Sequence, residues 1–180
     1  RSSAASDVYK RQMYPQGNEI QQFELNGLDA LMEGAHRPGH FDGVCTIVNK
    51  LFNLIKPKNA YFGQKDFQQL AIIRQLNKTQ KFKINIVGCP IIRDENGLAM
   101  SSRNMLLNKK ERLIAAKIYH ILTSAKAQFF TNNIENVKSF VKKELNNVSI
   151  FYTDYVEIVH AQTLQPLNDG EKKEPAGLGV

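Results

Sequence analysis

The feature that most narrows the fold is a switch from helical to strand period that occurs twice between Phe41 and Val87. From Phe41 to Ile55 the residues Val44, Ile47, Val48, Leu51, Phe52 and Ile55 recur at helical spacing, and Pro57 stands just past the end. Asn59–Phe62 then reads as a short buried strand broken by Gly63. Asp66 is placed to cap a helix carrying Leu70, Ile73 and Leu76 on one face, and Ile84, Ile86 and Val87 make a further strand closed by Gly88–Pro90. Helix, strand, helix, strand with short connections predicts a parallel α/β sheet, because a helical crossover returns the chain to the same edge in the same direction.

The flanking regions are patterned differently. Gln22–Leu25 is a weak strand candidate ended by Asn26-Gly27, and Gly34–Gly39 reads as a loop containing Gly and Pro. After the charged turn Arg93–Gly97, Asn108 can cap one long helix whose face is Ile114, Ile118, Ile121, Leu122, Ala125 and Phe129. A second helix follows with Ile134, Val137, Val141 and Leu145, and Tyr152–Val159 alternates like a strand, so this part is expected to be a small α+β unit. Residues 1–12, RSSAASDVYKRQ, are polar and aperiodic and read as an adapter or read-through segment outside the fold. Residues 168–180 hold Gly, Pro and charge without a completed element.

With 180 residues, 42% of them hydrophobic, the chain can bury one larger core or two small ones. No stretch reaches the roughly 18–20 apolar residues that span a bilayer and no basic-then-apolar leader opens the chain, so a soluble cytoplasmic protein is expected, with no membrane partner. Cys45 and Cys89 lack a CxxC or zinc-like spacing and are expected to be reduced and structural. The net charge is +7, but the lysines are scattered and not interleaved with aromatics, so nucleic acid is not the expected partner. His36, His120 and His160 read as surface or packing residues.

Three clusters carry chemistry. Gly63-Gln64-Lys65-Asp66 stands where a strand gives way to a helix, the position at which open α/β sheets bind ligands and helix N-termini offer unpaired N–H groups. Gly63 allows close backbone approach to an anion, Lys65 supplies charge, and Gln69 lies a helical turn beyond Asp66; the alternative is a capped helix with an exposed lysine. Gly97-Leu98-Ala99-Met100-Ser101-Ser102-Arg103-Asn104 joins two hydroxyls and a guanidinium suited to phosphate oxygens in a loop that can close, or is a Ser-rich turn whose arginine pairs with a surface carboxylate. Arg37 or His40 in Arg37-Pro38-Gly39-His40-Phe41 could meet a carboxylate beside an apolar wall of Val44, Ile47 and Val48, or the turn simply sets the helix and the valines are core.

The runs RPGHFDGV at 37–44, FGQKDFQQL at 62–70 and DENGLAMSSRN at 94–104 resemble, in order, separation and identity, the pantothenate synthetase family, and the similarity runs from about Met13 to about Glu174. The resemblance implies the second half of a Rossmann-like nucleotidyltransferase parallel sheet over 13–91, binding ATP and pantoate. A small α+β carboxy-terminal domain carrying a mobile Met-Ser-Ser-Arg loop would follow over 92–180. It implies ATP contacts at Gly63, Gln64, Lys65, Asp66, Ile92, Met100, Ser101, Ser102 and Arg103, with Lys65, Ser101, Ser102 and Arg103 catalytic, and a pantoate contact at Gln69. Gln64 stands where the family more often has glutamate.

The implied reaction has two steps: the pantoate carboxylate attacks the α-phosphate of ATP and pyrophosphate leaves, then the amine of β-alanine attacks the pantoyl adenylate and AMP leaves. Magnesium is implied with the nucleotide, and a homodimer for the complete protein. The family's leading strands, with a His-x-Gly-His motif and a second pantoate-binding glutamine, are not found in these residues, so the 180-residue chain alone is expected to be inactive. Alternatives are another nucleotidyltransferase of the same superfamily, including an aminoacyl-tRNA synthetase-like protein, or a non-catalytic interaction module.

Overall fold

In the computed structural model, residues 19–172 are described; the 1–12 segment and the last residues of the tail lie outside them. The ordered elements are α1 (Met32–His36), α2 (His40–Ile55), β1 (Asn59–Gly63), α3 (Phe67–Thr79), β2 (Asn85–Cys89), α4 (Lys109–Ala115), α5 (Lys117–Gln128) and α6 (Ile134–Asn146). β1 and β2 are hydrogen-bonded neighbours joined through α3, which is the expected parallel strand–helix–strand crossover. The chain packs as two compact units, one holding the residues up to Ala60 with Ala71–Val87, the other Tyr61–Leu70 with Gly88 onward.

In the first unit Leu25, Leu28, Phe41, Cys45, Phe52, Ile72, Ile73, Leu76 and Ile84 are buried. The ring of Phe52 meets that of Phe82 edge-on at 5.5 Å. The predicted α3 face is borne out, with Leu70, Ile73 and Leu76 each at most 2% exposed. α2 is rotated from expectation: Phe41, Cys45, Thr46 and Phe52 are its buried residues, while Ile47 and Ile55 are exposed. Helical spacing identifies an apolar stripe wider than the strip a neighbour covers, and does not say which edge of it is covered.

The crossover is fastened by a residue that no periodicity marks. Asn77 donates through Nδ2 to the Ile84 carbonyl at 2.9 Å and accepts the Ile84 N–H at Oδ1 at 3.1 Å. Between them Lys81 and Lys83 both take positive φ, 56° and 58°, which side chains with a Cβ adopt at a cost. The paired amide bonds hold that turn closed.

Three strand expectations need correction. Asn59–Phe62 forms the strand but is not buried; Tyr61 is 67% exposed, since β1 has only β2 as a neighbour among the described residues. Gln22–Leu25 is not a strand, because the Gln21 N–H donates to Thr46 Oγ1 at 2.9 Å and ties this segment to α2 through a side chain. Tyr152–Val159 forms no ladder: the contact is an isolated antiparallel bridge from Val159 to Pro166, a residue with no N–H to extend it. Glu157 instead pairs with Lys138 of α6 at 3.1 Å.

Two loop and helix expectations also shift. Gly34 lies in α1, so the loop shortens to Arg37–Gly39. The long helix after Asn108 is two, α4 and α5, divided at Ala116, where the Tyr119 N–H reaches back only three residues to the Ala116 carbonyl at 3.1 Å. Asn108 caps α4 as expected and completes a capping box with Glu111. α5 and α6 then close a core of Ala125, Phe129, Ile134, Val137, Val141, Ile158 and Leu167. Asp169 accepts the Ile134 N–H at 2.9 Å; its carboxyl is held below the ordinary value first by Lys172 and then by that N–H.

Both cysteines are free, Cys45 buried and Cys89 at the end of β2 half-buried. Burial, then the charges of Asp42 and Asp29, push the Cys45 thiol up to about 12. At pH 8 a chromogenic disulfide reagent should therefore label Cys89 and spare Cys45 until urea unfolds the chain. The folded state holds this proton more tightly than the unfolded one, so the contribution is complete below the ordinary thiol value of 9.0 and is lost as pH rises toward 12. The urea midpoint should fall less steeply across that window in Cys45→Val than in the wild type.

Candidate functional site

All ten residues singled out from the sequence for ATP, pantoate or catalysis fall in the second unit, on Gly63–Gln69 and on Ile92–Arg103. The second stretch is built on a short hairpin. Asp94 and Gly97 close its turn: the Gly97 N–H donates to the Asp94 carbonyl at 2.9 Å, and the Asp94 carboxylate accepts the N–H groups of Asn96 and Leu98, each at 3.0 Å. The Asp94 N–H donates to Leu98 at 2.9 Å and the Met100 N–H to Ile92 at 2.8 Å.

With Arg93 bridged to Ala99, this register sets Ile92 opposite Met100. Residues directly opposite share a face, so the two side chains project together, and they stand 70% and 61% exposed. Paired large apolar side chains held out to solvent are the kind of surface on which a flat heterocycle can lie.

Glycine is required at 97 on two counts. Its φ is +89°, and a Cβ there would meet Cδ1 of Tyr119 at 2.5 Å. On the other face of the hairpin the Arg93 guanidinium lies 3.9 Å above the Tyr119 ring and donates to the Gly97 carbonyl at 3.1 Å. An open cleft of about 570 Å³ borders this face, lined in part by Arg93, Leu113, Tyr119 and His120.

The loop after the hairpin is shaped by its own side chains. Ser101 Oγ accepts the Arg103 N–H at 3.2 Å and starts a tight 3₁₀ turn over Ser102–Leu106. Asn104 ties the turn back to the Ala99 carbonyl at 2.9 Å, and Arg112 of α4 donates to the Asn104 and Leu107 carbonyls at 3.0 and 3.3 Å. Ser102 and Arg103 are exposed, and the Arg103 guanidinium has no ion pair or hydrogen bond among the described residues. The expected alternative of an arginine paired with a surface carboxylate does not occur among them.

At the other stretch Gly63 ends β1 and Gln64–Asp66 make a 3₁₀ turn running directly into α3. Gly63 has an ordinary φ of −70°, and a Cβ added to it would meet nothing within 4 Å. Neither backbone nor packing demands glycine here, which leaves open space in front of the turn. Lys65 lies 3.2 Å from Asp66, both well exposed. Such a pair contributes about 0–1 kcal/mol, so an incoming anion displaces it at little cost. Gln69 is half-buried on the first turns of α3.

Arg37 pairs with Glu33 at 3.0 Å, the ring of His40 packs 4.9 Å from that of Phe41, and both residues belong to the first unit. Among the described residues no group of three or more His, Cys, Asp or Glu is arranged to hold a metal ion, and no helix is long and apolar enough to cross a membrane. Arg112 and Tyr119 are not singled out from the sequence, Arg93 and Asp94 read only as part of a charged turn, and Asn104 only as the end of the Ser-Ser-Arg loop. An Asp followed three residues later by Gly is a turn signal that locates Asp94, but nothing local connects Arg93 with Tyr119.

A parallel strand–helix–strand crossover with a Gly-Gln-Lys-Asp turn at the end of its first strand is an α/β nucleotidyltransferase-like arrangement. The model of the Pantoate-beta-alanine ligase family matches residues 7–178, and the chain belongs to that family. It is 53% identical over 142 residues to a pantothenate synthetase of Flavobacterium psychrophilum, covering 79% of this chain and 50% of that protein. It is 47% identical over 158 residues to one of Bacteroides fragilis, covering 88% and 56%. The chain thus spans about half the length of these curated relatives. Among solved structures, pantothenate synthetase from Thermus thermophilus superposes with a TM-score of 0.83 at 36% identity, over 94% of this chain and 66% of that one. The Francisella tularensis pantoate-beta-alanine ligase complexed with beta-gamma ATP and beta-alanine gives 0.62 at 32%, over 81% and 59%.

The two glycines should respond oppositely to a methyl group. Gly97→Ala meets left-handed backbone and the Tyr119 ring, and should lower unfolding free energy by about 2 kcal/mol. Gly63→Ala fits its present backbone and should be neutral or stabilising by roughly 0.5 kcal/mol. Urea denaturation of the two variants checks both.

Proposed function

We propose that this chain carries the nucleotide-handling part of an enzyme that condenses pantoate with β-alanine, using ATP and releasing AMP and pyrophosphate. The observation that carries the reading is the 92–100 hairpin: it pairs Ile92 with Met100 immediately ahead of Ser101, Ser102 and Arg103, in the unit that also holds Gly63–Gln69. Family membership and the nucleotide in the Francisella relative support the same assignment.

In this reading Ile92 and Met100 hold the adenine end, and Gly63, Gln64, Lys65 and Asp66 approach the phosphates through the open space before α3. Gln69, on the first turns of that helix, meets pantoate. The pantoate carboxylate attacks the α-phosphorus, a carboxyl oxygen–phosphorus bond forms, and the bond to pyrophosphate breaks. Negative charge grows on the phosphoryl oxygens and the departing pyrophosphate, where Lys65 and Arg103 supply cations and Ser101 and Ser102 supply O–H donors. The Ser101 oxygen accepts from the backbone, which leaves its proton free to donate. The amine of β-alanine then attacks the acyl carbon of the adenylate and AMP leaves.

Magnesium would neutralise phosphate charge when bound. The residues here offer cations and hydroxyls rather than a carboxylate cluster, so phosphate and water oxygens would hold it. We place an ATP- and pantoate-binding part over 13–91 and a carboxy-terminal part with a loop that closes over the phosphates at 92–180, in a homodimeric cytoplasmic enzyme without nucleic acid or membrane partners.

The test uses a chimera in which the Flavobacterium psychrophilum relative supplies the half of its length that this chain does not span. Pantoate- and β-alanine-dependent pyrophosphate release should appear. Lys65→Ala and Arg103→Ala should each lower kcat by about a hundredfold or more, corresponding to roughly 3 kcal/mol of barrier. A folded chimera that releases no pyrophosphate would overturn the reading.

A further inference from the structure

The hairpin has two faces with different partners. Ile92 and Met100 share one, and by the alternation of extended chain Arg93 takes the other, where its guanidinium is spent twice: on the Tyr119 ring at 3.9 Å and on the Gly97 carbonyl at 3.1 Å. The planar ion can do both at once because its faces stack while its edge donates. Gly97, whose missing Cβ makes room for the same ring, seats the turn against α5. Downstream, Arg112 and Asn104 fix the far end of the loop through backbone carbonyls. Met100–Arg103 is therefore a short span hung between two fastenings, and the Arg93 clamp is the one on the strand that carries Ile92.

We propose that Arg93, clamped between the Gly97 carbonyl and the Tyr119 ring, is a positioning residue that fastens the hairpin, in the register its Asp94–Gly97 turn sets, against α5 and thereby presents Ile92 and Met100–Arg103 to the nucleotide. The effect is a pre-organised binding edge: without the clamp the nucleotide must order the hairpin on arrival, and the ordering is subtracted from its affinity. This rests on the reading of those residues as nucleotide contacts. β-Alanine has no part in the clamp, so its saturation should not change.

The test pairs a structural and a kinetic readout. Amide hydrogen exchange on the 180-residue chain reports the clamp through the Met100 N–H, which closes the hairpin onto Ile92. Exchange there should rise about tenfold or more in Arg93→Met and Tyr119→Leu, and stay at the wild-type rate in Tyr119→Phe, which keeps the ring. In the chimera, Arg93→Met should raise KM for ATP by about tenfold while KM for β-alanine stays within about twofold, and Arg93→Lys should recover part of the loss. Should Tyr119→Leu not fold, the comparison of Arg93→Met with Arg93→Lys decides. Unchanged Met100 exchange in Arg93→Met overturns the clamp; raised exchange with an unchanged KM for ATP overturns its role in presentation. A wild-type chimera that releases no pyrophosphate instead strikes the functional reading, and leaves the exchange result to judge the clamp.

Discussion

The second unit depends on a turn of five residues being closed from both sides. Asp94 satisfies two backbone N–H groups with one carboxylate, and Gly97 takes a left-handed conformation that leaves room for an aromatic ring. Once the turn is closed, hairpin register follows, and register decides which side chains share a face. One residue of slip would exchange Arg93 for Ile92 on the helix side, turning the charge outward and the apolar surface in. The position of the Ser-Ser-Arg loop is thus set before the loop itself begins.

The two stretches proposed to face phosphate are organised differently. Lys65 and Asp66 form an exposed pair on a turn whose glycine has an ordinary φ and room for a Cβ. Ser101–Arg103 is held through backbone carbonyls and a side-chain cap, which spends the serine oxygen but keeps the Ser102 hydroxyl and the Arg103 guanidinium out in solvent. An Arg103 guanidinium without a protein acceptor among the described residues, and a Lys65 held only by an exposed pair, suit the proposed reaction, in which negative charge moves from one phosphoryl group toward another.

The crossover was legible in the sequence because both of its periods are long enough to count: Leu70, Ile73 and Leu76 mark α3, and Gly63 marks the end of β1. Asn108 and the helix face Ile134, Val137 and Val141 were legible for the same reason. Legibility failed where a side chain redirected the backbone. Thr46 captured the Gln21 N–H and removed a strand, Pro166 limited Val159 to a single bridge, and Asn77 held a turn of two left-handed lysines that propensity argues against. In the site, the residues that touch ligand in the proposed reading stood, Ile92 apart, in contiguous motifs, whereas Arg93 and Tyr119 lie 26 positions apart and are joined only by folding.

The central claim is that carboxylate activation passes through an acyl adenylate, and oxygen-18 in the pantoate carboxylate tests it most directly in the chimera. Attack on the α-phosphorus followed by aminolysis leaves one carboxylate oxygen on the phosphate of AMP, so labelled AMP and unlabelled pyrophosphate are predicted. Label in inorganic phosphate, with ADP as the other product, would mean attack at the γ-phosphorus and would contradict the account.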